Sequence, residues 1–252
     1  MRTGAVAARV VGVRIGLGAL RDLVWPASCA ACSRPGQRLC VGCARDVAGA
    51  GDLRWHSPDP CPTSFPPTAT WGAYQGALKA LVVAHKDGDR MDAARLLAEP
   101  LSEVITLALA GLDDPVLLPI PSAAASRRRR GREPLLDLLG QVRVTREVPV
   151  GPALRQCRRV ADQARLDHVA RRENLHGSMA VAPRWGSVLR GRDVVLVDDV
   201  VTTGATLAEA TRAIIEDASG GRDVNSLCAA ALCATQRTTG GGAAGGPPLG
   251  TA

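Results

Sequence analysis

Apolar positions along the chain change period several times, and each change predicts an element. Val194-Val195-Leu196-Val197 is an unbroken apolar run, the pattern of a parallel strand covered on both faces. Leu207, Ala210 and Ile214 follow at helical spacing and predict a helix from Gly204 to Asp217. Residues 76–85 read as a helix ending at the Asp87-Gly88 turn signal. Residues 90–110 read as a second helix, broken or bent at Pro100. Val116-Leu117-Leu118 reads as a short buried strand that ends in Pro119-Ile120-Pro121. Residues 127–140 and 161–175 read as basic helices, and 225–234 as a last buried strand. Strands alternating with helices predict an α/β fold, an open and mostly parallel sheet flanked by helices.

The two ends of the chain read differently. Residues 1–25 suggest an amphipathic helical lead-in, and 26–67 are rich in Cys, Pro and Gly with no sustained apolar period. Such a segment cannot build a core unaided. The expected organisation is therefore a lead-in and small cysteine module over 1–70, the main domain over 71–237, and a disordered Gly-rich tail over 238–252.

Composition narrows the classes. The 252 residues are 46% hydrophobic and 22% charged, too apolar for a disordered chain. Only six are aromatic (Trp25, Trp55, Phe65, Trp71, Tyr74 and Trp185), so the core rests on Ala, Val and Leu and base-stacking platforms are scarce. The net charge is +7, and residues 127–172 alone hold 13 arginines against 5 acids. That segment should meet an anion or form an Arg-rich solvated face. The charge-free runs 60–78 and 238–252 are too rich in Pro or Gly for a membrane span. Arg9, Arg14 and Arg21 interrupt the N-terminus and argue against an export signal. The expectation is a cytoplasmic protein whose eight cysteines are metal ligands or buried residues rather than disulfides.

Cys29-Ala30-Ala31-Cys32 and Cys40-Val41-Gly42-Cys43 form C-x2-C-x7-C-x2-C. Each C-x2-C presents two thiolates to one ion, and two such turns complete a tetrahedron around zinc. Four protein ligands leave no open position, so Cys29, Cys32, Cys40 and Cys43 predict a structural site that helps fold a coreless segment. Cys61 stands alone, and Cys228 and Cys233 read as core residues.

The stretch from Val194 to Leu207 carries the most chemistry. An apolar strand delivers Asp198 and Asp199 at its carboxyl end, where ligands bind in open α/β sheets. A loop of Val200, Val201, Thr202, Thr203, Gly204, Ala205 and Thr206 then leads into a helix. Loop amides and a helix N-terminus favour an anion, and Gly204 permits close backbone approach. Carboxylates for hydroxyls beside donors for a phosphate fit a sugar phosphate.

This stretch resembles the phosphoribosyl-pyrophosphate-binding loop of the type I phosphoribosyltransferases, matching the motif without a gap. The resemblance implies that Asp198 and Asp199 hold the ribose 2′- and 3′-hydroxyls and that Thr202 to Thr206 wrap the 5′-phosphate. Thr202 stands where some purine-salvage members carry an Asp, which argues against that subclass. A four-cysteine knuckle ahead of this motif resembles the ComF family, linked to competence and DNA uptake. In the same order, Trp71-Gly72-Ala73-Tyr74-Gln75-Gly76 with His85-Lys86-Asp87-Gly88 is similar to that family's Y-x-G…K-x-G segment. Pro119-Ile120-Pro121-Ser122 with Arg130-Gly131-Arg132 is similar to its P-x-P…R-G pyrophosphate loop, and Gln163, Leu166, Arg171, Arg172, Asn174 and Gly177 to its Q-x-x-L…R-x-x-N…G segment. The chain departs from the family after R-G, where Arg132-Glu133-Pro134 replaces an aromatic and Asn-Gln. Glu133 either rotates away from the pyrophosphate or alters the site. A second Cys cluster near Cys61 is also missing.

The resemblance implies a phosphoribosyltransferase that takes phosphoribosyl pyrophosphate with Mg²⁺ to an unnamed acceptor. Arg130 would stabilise the departing pyrophosphate, and Lys86, Pro121 and Ser122 would join the substrate site. It equally admits a non-catalytic role in competence, in which the pocket senses a nucleotide, residues 127–172 track single-stranded DNA, and a helicase-like uptake protein is the partner.

Overall fold

The computed structural model describes residues 27–88, 90–158, 175–216 and 223–236. The predicted lead-in and tail lie outside them, as does nearly all of the basic helix expected over 161–175.

From the N-terminal side the elements are α1 (Val41–Gly49), β1 (Gly51–His56), β2 (Thr68–Ala73), α2 (Gly76–Asp87), α3 (Met91–Ala108), β3 (Pro115–Pro119), α4 (Ala124–Arg130) and α5 (Pro134–Leu139). They continue with β4 (Leu154–Gln156), β5 (Met179–Val181), α6 (Pro183–Leu189), β6 (Asp193–Val201), α7 (Ala205–Ile215) and β7 (Ser226–Ala234). Five strands form one sheet in the order β1-β2-β7-β6-β3. Only the edge pair β1–β2 is antiparallel; β2–β7, β7–β6 and β6–β3 are parallel. The α/β, mostly parallel sheet expected from the periodicity is therefore present. Strands β4 and β5 form a separate antiparallel pair.

Alternation along β6 divides the core into two layers, because successive side chains of a strand face opposite sides. Val195 and Val197 pack with Leu78, Leu81, Leu97, Leu101 and Ile105 of α2 and α3. Val194 and Leu196 pack with Leu207, Ala210 and Ile214 of α7 and with Val116 and Leu118 of β3. The Ala229-Ala230-Ala231 run of β7 is fully buried between these layers, its small side chains leaving room for helices on both faces.

Two predicted elements differ in detail. Helix α3, where a break or a bend is expected at Pro100, is continuous through that residue, which lies buried inside it. A proline in a helix interior costs about 3 kcal/mol. The fully buried Leu97, Leu101, Val104 and Ile105 hold the helix on either side of it. The predicted basic helix 127–140 is two helices, α4 and α5. Gly131 ends α4 in the left-handed conformation at φ +67°, and Pro134 opens α5, where its missing N–H costs nothing.

The cysteine segment is tied to the sheet. The boundary read at residue 70 falls inside β2, and β1 pairs along β2. Asp46 of α1 accepts a hydrogen bond from the Ala77 amide at 2.8 Å, capping α2. Arg90, held on Asp92, donates to the Ser28 carbonyl at 2.7 Å.

Candidate functional site

The cysteine sequence folds into two tight turns. Ser33 N–H donates to the Cys29 carbonyl, Cys29 N–H to Arg34, and Ala30 N–H to Arg38, while Ser33 and Gly36 supply positive φ. Cys40 is the N-cap of α1, and Cys43 lies in its first turn, where the helix dipole favours thiolates. The Sγ atoms of Cys29, Cys32, Cys40 and Cys43 all lie within 4.8 Å of one another. Cys32 and Cys40 Sγ are 3.7 Å apart, close to the ~3.8 Å edge of a tetrahedron with 2.3 Å metal–sulfur bonds. The Cys40 amide points at Cys29 Sγ at 3.5 Å, as outer-shell donors to a ligating sulfur do. Burial works against the Cys29 thiolate, yet the amides of Cys40, Cys32 and Ala31 hold it down to about 6; burial and the neighbouring sulfurs push Cys43 up to about 12. These four cysteines can hold one metal ion such as zinc. Among the described residues no other group of three or more Cys, His, Asp or Glu is gathered in this way.

The second feature is a cleft of about 260 Å³ at the carboxyl ends of β3 and β6. Lys86, Pro121, Ser122, Arg130, Asp198, Asp199, Val200 and Thr206 all line it, drawn from α2, the turn after β3, α4, β6 and α7. A smaller hollow beside it is bounded by Asp198, Val200, Val201, Thr202, Gly204 and Thr206. Thr203 and Ala205 share the loop but line neither cavity; Thr203 Oγ1 accepts the Ala205 amide at 3.4 Å. The Ile120 amide donates to the Val197 carbonyl at 2.8 Å, which locks the Pro119–Ser122 turn beside the acidic pair.

Helix α2 supplies the cleft's counter-charges from three successive residues. His85 Nε2–H donates to the Pro134 carbonyl at 2.8 Å, anchoring the helix end on α5. Lys86 Nζ donates to Asp199 Oδ1 at 2.7 Å, across 113 positions of sequence. Asp87 accepts both Nη2 (2.8 Å) and Nε (3.2 Å) of Arg130. Burial would lower the Lys86 ammonium, but Asp199 and Asp198 together raise it. Burial, reinforced by the charge of Asp199, lifts Asp198 to about 7, with Lys86 opposing. The pair thus stands with one carboxyl on an ammonium and the other poised near neutrality.

The sequence did not mark every wall. Ser126, Leu135, Gln156, Leu175 and Met179 also line the cleft. Gln156 and Met179 arrive on the three-residue strands β4 and β5, too short to give a period. Nor did it show what covers the Thr loop. Gly204 is left-handed at φ +73°, and a Cβ there would stand 2.7 Å from Phe65 Cδ2 and 2.9 Å from Pro58 Cγ. The proline-rich connection between β1 and β2 is thus seated on the loop. Glu133 is not among the lining residues; it pairs with Arg127 at 3.3 Å. Arg127, Arg128 and Arg129 are exposed on α4, and the rest of the basic segment from 159 to 172 lies outside the described residues. Among the described residues no helix is long and apolar enough to cross a membrane.

No family model matches the chain, and no curated protein is similar to it.

Proposed function

We propose that the cleft binds phosphoribosyl pyrophosphate, or a related sugar phosphate, and that the protein is a type I phosphoribosyltransferase-like, ComF-like protein with a structural zinc module. The observation that carries the reading is convergence. Three motif segments, far apart in sequence, bring Lys86, Pro121-Ser122 with Arg130, and Asp198-Asp199 with Thr206 to one cavity. Asp198 and Asp199 would accept hydrogen bonds from the ribose hydroxyls. The first-turn amides of α7 have no acceptor within their own helix, and with the hydroxyls of Thr202 and Thr206, which line the hollow beside the cleft, they would hold the 5′-phosphate. Arg130 and the Ser122 turn would face the pyrophosphate, and Arg130 would stabilise charge on it as its bond to C1 breaks. Magnesium would enter on the diphosphate as part of the substrate, since Asp199 already carries Lys86. Cys29, Cys32, Cys40 and Cys43 would hold zinc in a closed structural shell.

Titration calorimetry of phosphoribosyl pyrophosphate with Mg²⁺ tests the reading. Micromolar binding by the wild-type chain, lost in Asp198→Asn/Asp199→Asn, supports it. Absence of binding by the wild type overturns it. Where binding holds, Asp199→Asn should abolish transfer to any acceptor found. The exposed Arg127-Arg128-Arg129 run supports a second reading, a competence role in which this face meets single-stranded DNA. Replacing that run by Ala would then weaken DNA binding and flatten its salt dependence.

A further inference from the structure

Each carboxylate of the acidic pair has one oxygen already committed. Asp198 Oδ1 accepts the Asp199 amide at 2.8 Å, and Asp199 Oδ1 accepts Lys86 Nζ at 2.7 Å. The two carboxyls also meet one another side chain to side chain, and each keeps acceptor capacity for a hydroxyl of a vicinal diol.

Lys86 is held in place by its surroundings. Its helix is capped at one end by Asp46 and anchored at the other through His85 to Pro134. The ammonium sits in the last turn of α2, where the helix dipole favours a cation. Asp87 beside it is occupied by Arg130, so it does not draw Lys86 away from Asp199.

We infer that Lys86 is the built-in counter-cation of the acidic pair, taking the place of a protein-held divalent ion, so that Asp198 and Asp199 grip the sugar without a metal of their own. The inference rests on the phosphoribosyl reading and makes Lys86 a residue that sets the metal requirement of binding. Lys86 holds the Asp199 carboxyl in place and offsets charge that would repel the ligand's phosphates.

The test is titration of phosphoribosyl pyrophosphate into the full chain, in Mg²⁺ and in EDTA, for wild type, Lys86→Met and Lys86→Arg. Wild type should bind in EDTA within about tenfold of its affinity in Mg²⁺, a difference of about 1.4 kcal/mol. Lys86→Met should lose about 100-fold in EDTA, as truncating one partner of a partly buried charge pair does, and recover most of it when Mg²⁺ is added. Lys86→Arg should keep the wild-type pattern, which separates charge from folding. If wild type binds only with Mg²⁺, or Lys86→Met binds as well as wild type in EDTA, the inference about Lys86 is overturned and the phosphoribosyl reading stands. If wild type binds under neither condition, the phosphoribosyl reading fails and this inference with it.

Discussion

Gly204→Ala separates two costs imposed by the Thr loop. An L-residue in the left-handed region costs about 1–2 kcal/mol, and Gly204 sits there at φ +73°. A methyl would also press on Phe65 at 2.7 Å and Pro58 at 2.9 Å, an overpacking cost of about 1–3 kcal/mol. Gly111 is the control. Its φ is +78°, and nothing stands within 4 Å of its would-be Cβ, so Gly111→Ala should lose only the backbone part, about 1–2 kcal/mol. Gly204→Ala should lose about 2–5 kcal/mol. At about 2–4 °C per kcal/mol for a chain of this size, the two melting temperatures should differ by several degrees. Equilibrium urea unfolding of the metal-loaded chain measures both losses. A double-mutant cycle of Gly204→Ala with Phe65→Ala should give a coupling of about 0.5 kcal/mol or more, since the residues touch. Equal losses for the two glycine variants, or an additive cycle, would refute the claim that Phe65 and Pro58 bear on the loop.

Three further outcomes follow from the same structure. Asp198 titrates higher in the folded chain than unfolded, to about 7, so the native state binds the extra proton and stability falls as pH rises from about 4 to 7; Asp198→Asn should remove that slope and raise the urea midpoint more at pH 8 than at pH 5. Glu209 is buried, accepts the Met179 amide at 2.9 Å and carries Arg212, which also pairs with Glu216; Glu209→Ala should cost about 1–3 kcal/mol by leaving the Met179 amide without its acceptor, read in thermal unfolding. Cys32→Ser should lose the bound metal and lower the melting temperature, and metal analysis of wild type should find one zinc per chain; well under one equivalent would remove the four-cysteine site.

The strands β3, β6 and β7 and the helices α2, α3 and α7 could be read from period alone, because each buries a continuous stripe or run. The four cysteines and the acidic pair were legible for a different reason, that their spacing is the chemistry. What stayed hidden depends on tertiary contact. Residues 127–140 pass from the basic run Arg127–Arg130 to the mostly apolar Leu135-Leu136-Asp137-Leu138-Leu139, and Gly131 and Pro134 mark the break between α4 and α5. The missing hydrogen bond of Pro100 is visible in the sequence and predicts a break or bend, whereas the burial of Leu97 and Leu101 that keeps the helix continuous is not. The Lys86–Asp199 pair joins positions 113 residues apart, and the seating of Phe65 on Gly204 has no local signal. The first lies in the cleft and the second beside it, so the ingredients of the site were visible and its internal wiring was not.

Helix α2 has twelve residues and spans about 18 Å at 1.5 Å per residue. Neither end looks after itself: Asp46 from the cysteine segment closes one, and Pro134 receives His85 at the other. The helix is a lever resting on the cysteine module, with Lys86 at its far tip. Cutting the chain at a textual boundary near residue 70 would remove Asp46 and the whole of β1 along with the cysteines. An engineer who wants the cleft alone would have to supply a new cap for Ala77 and a new neighbour for the exposed edge of β2.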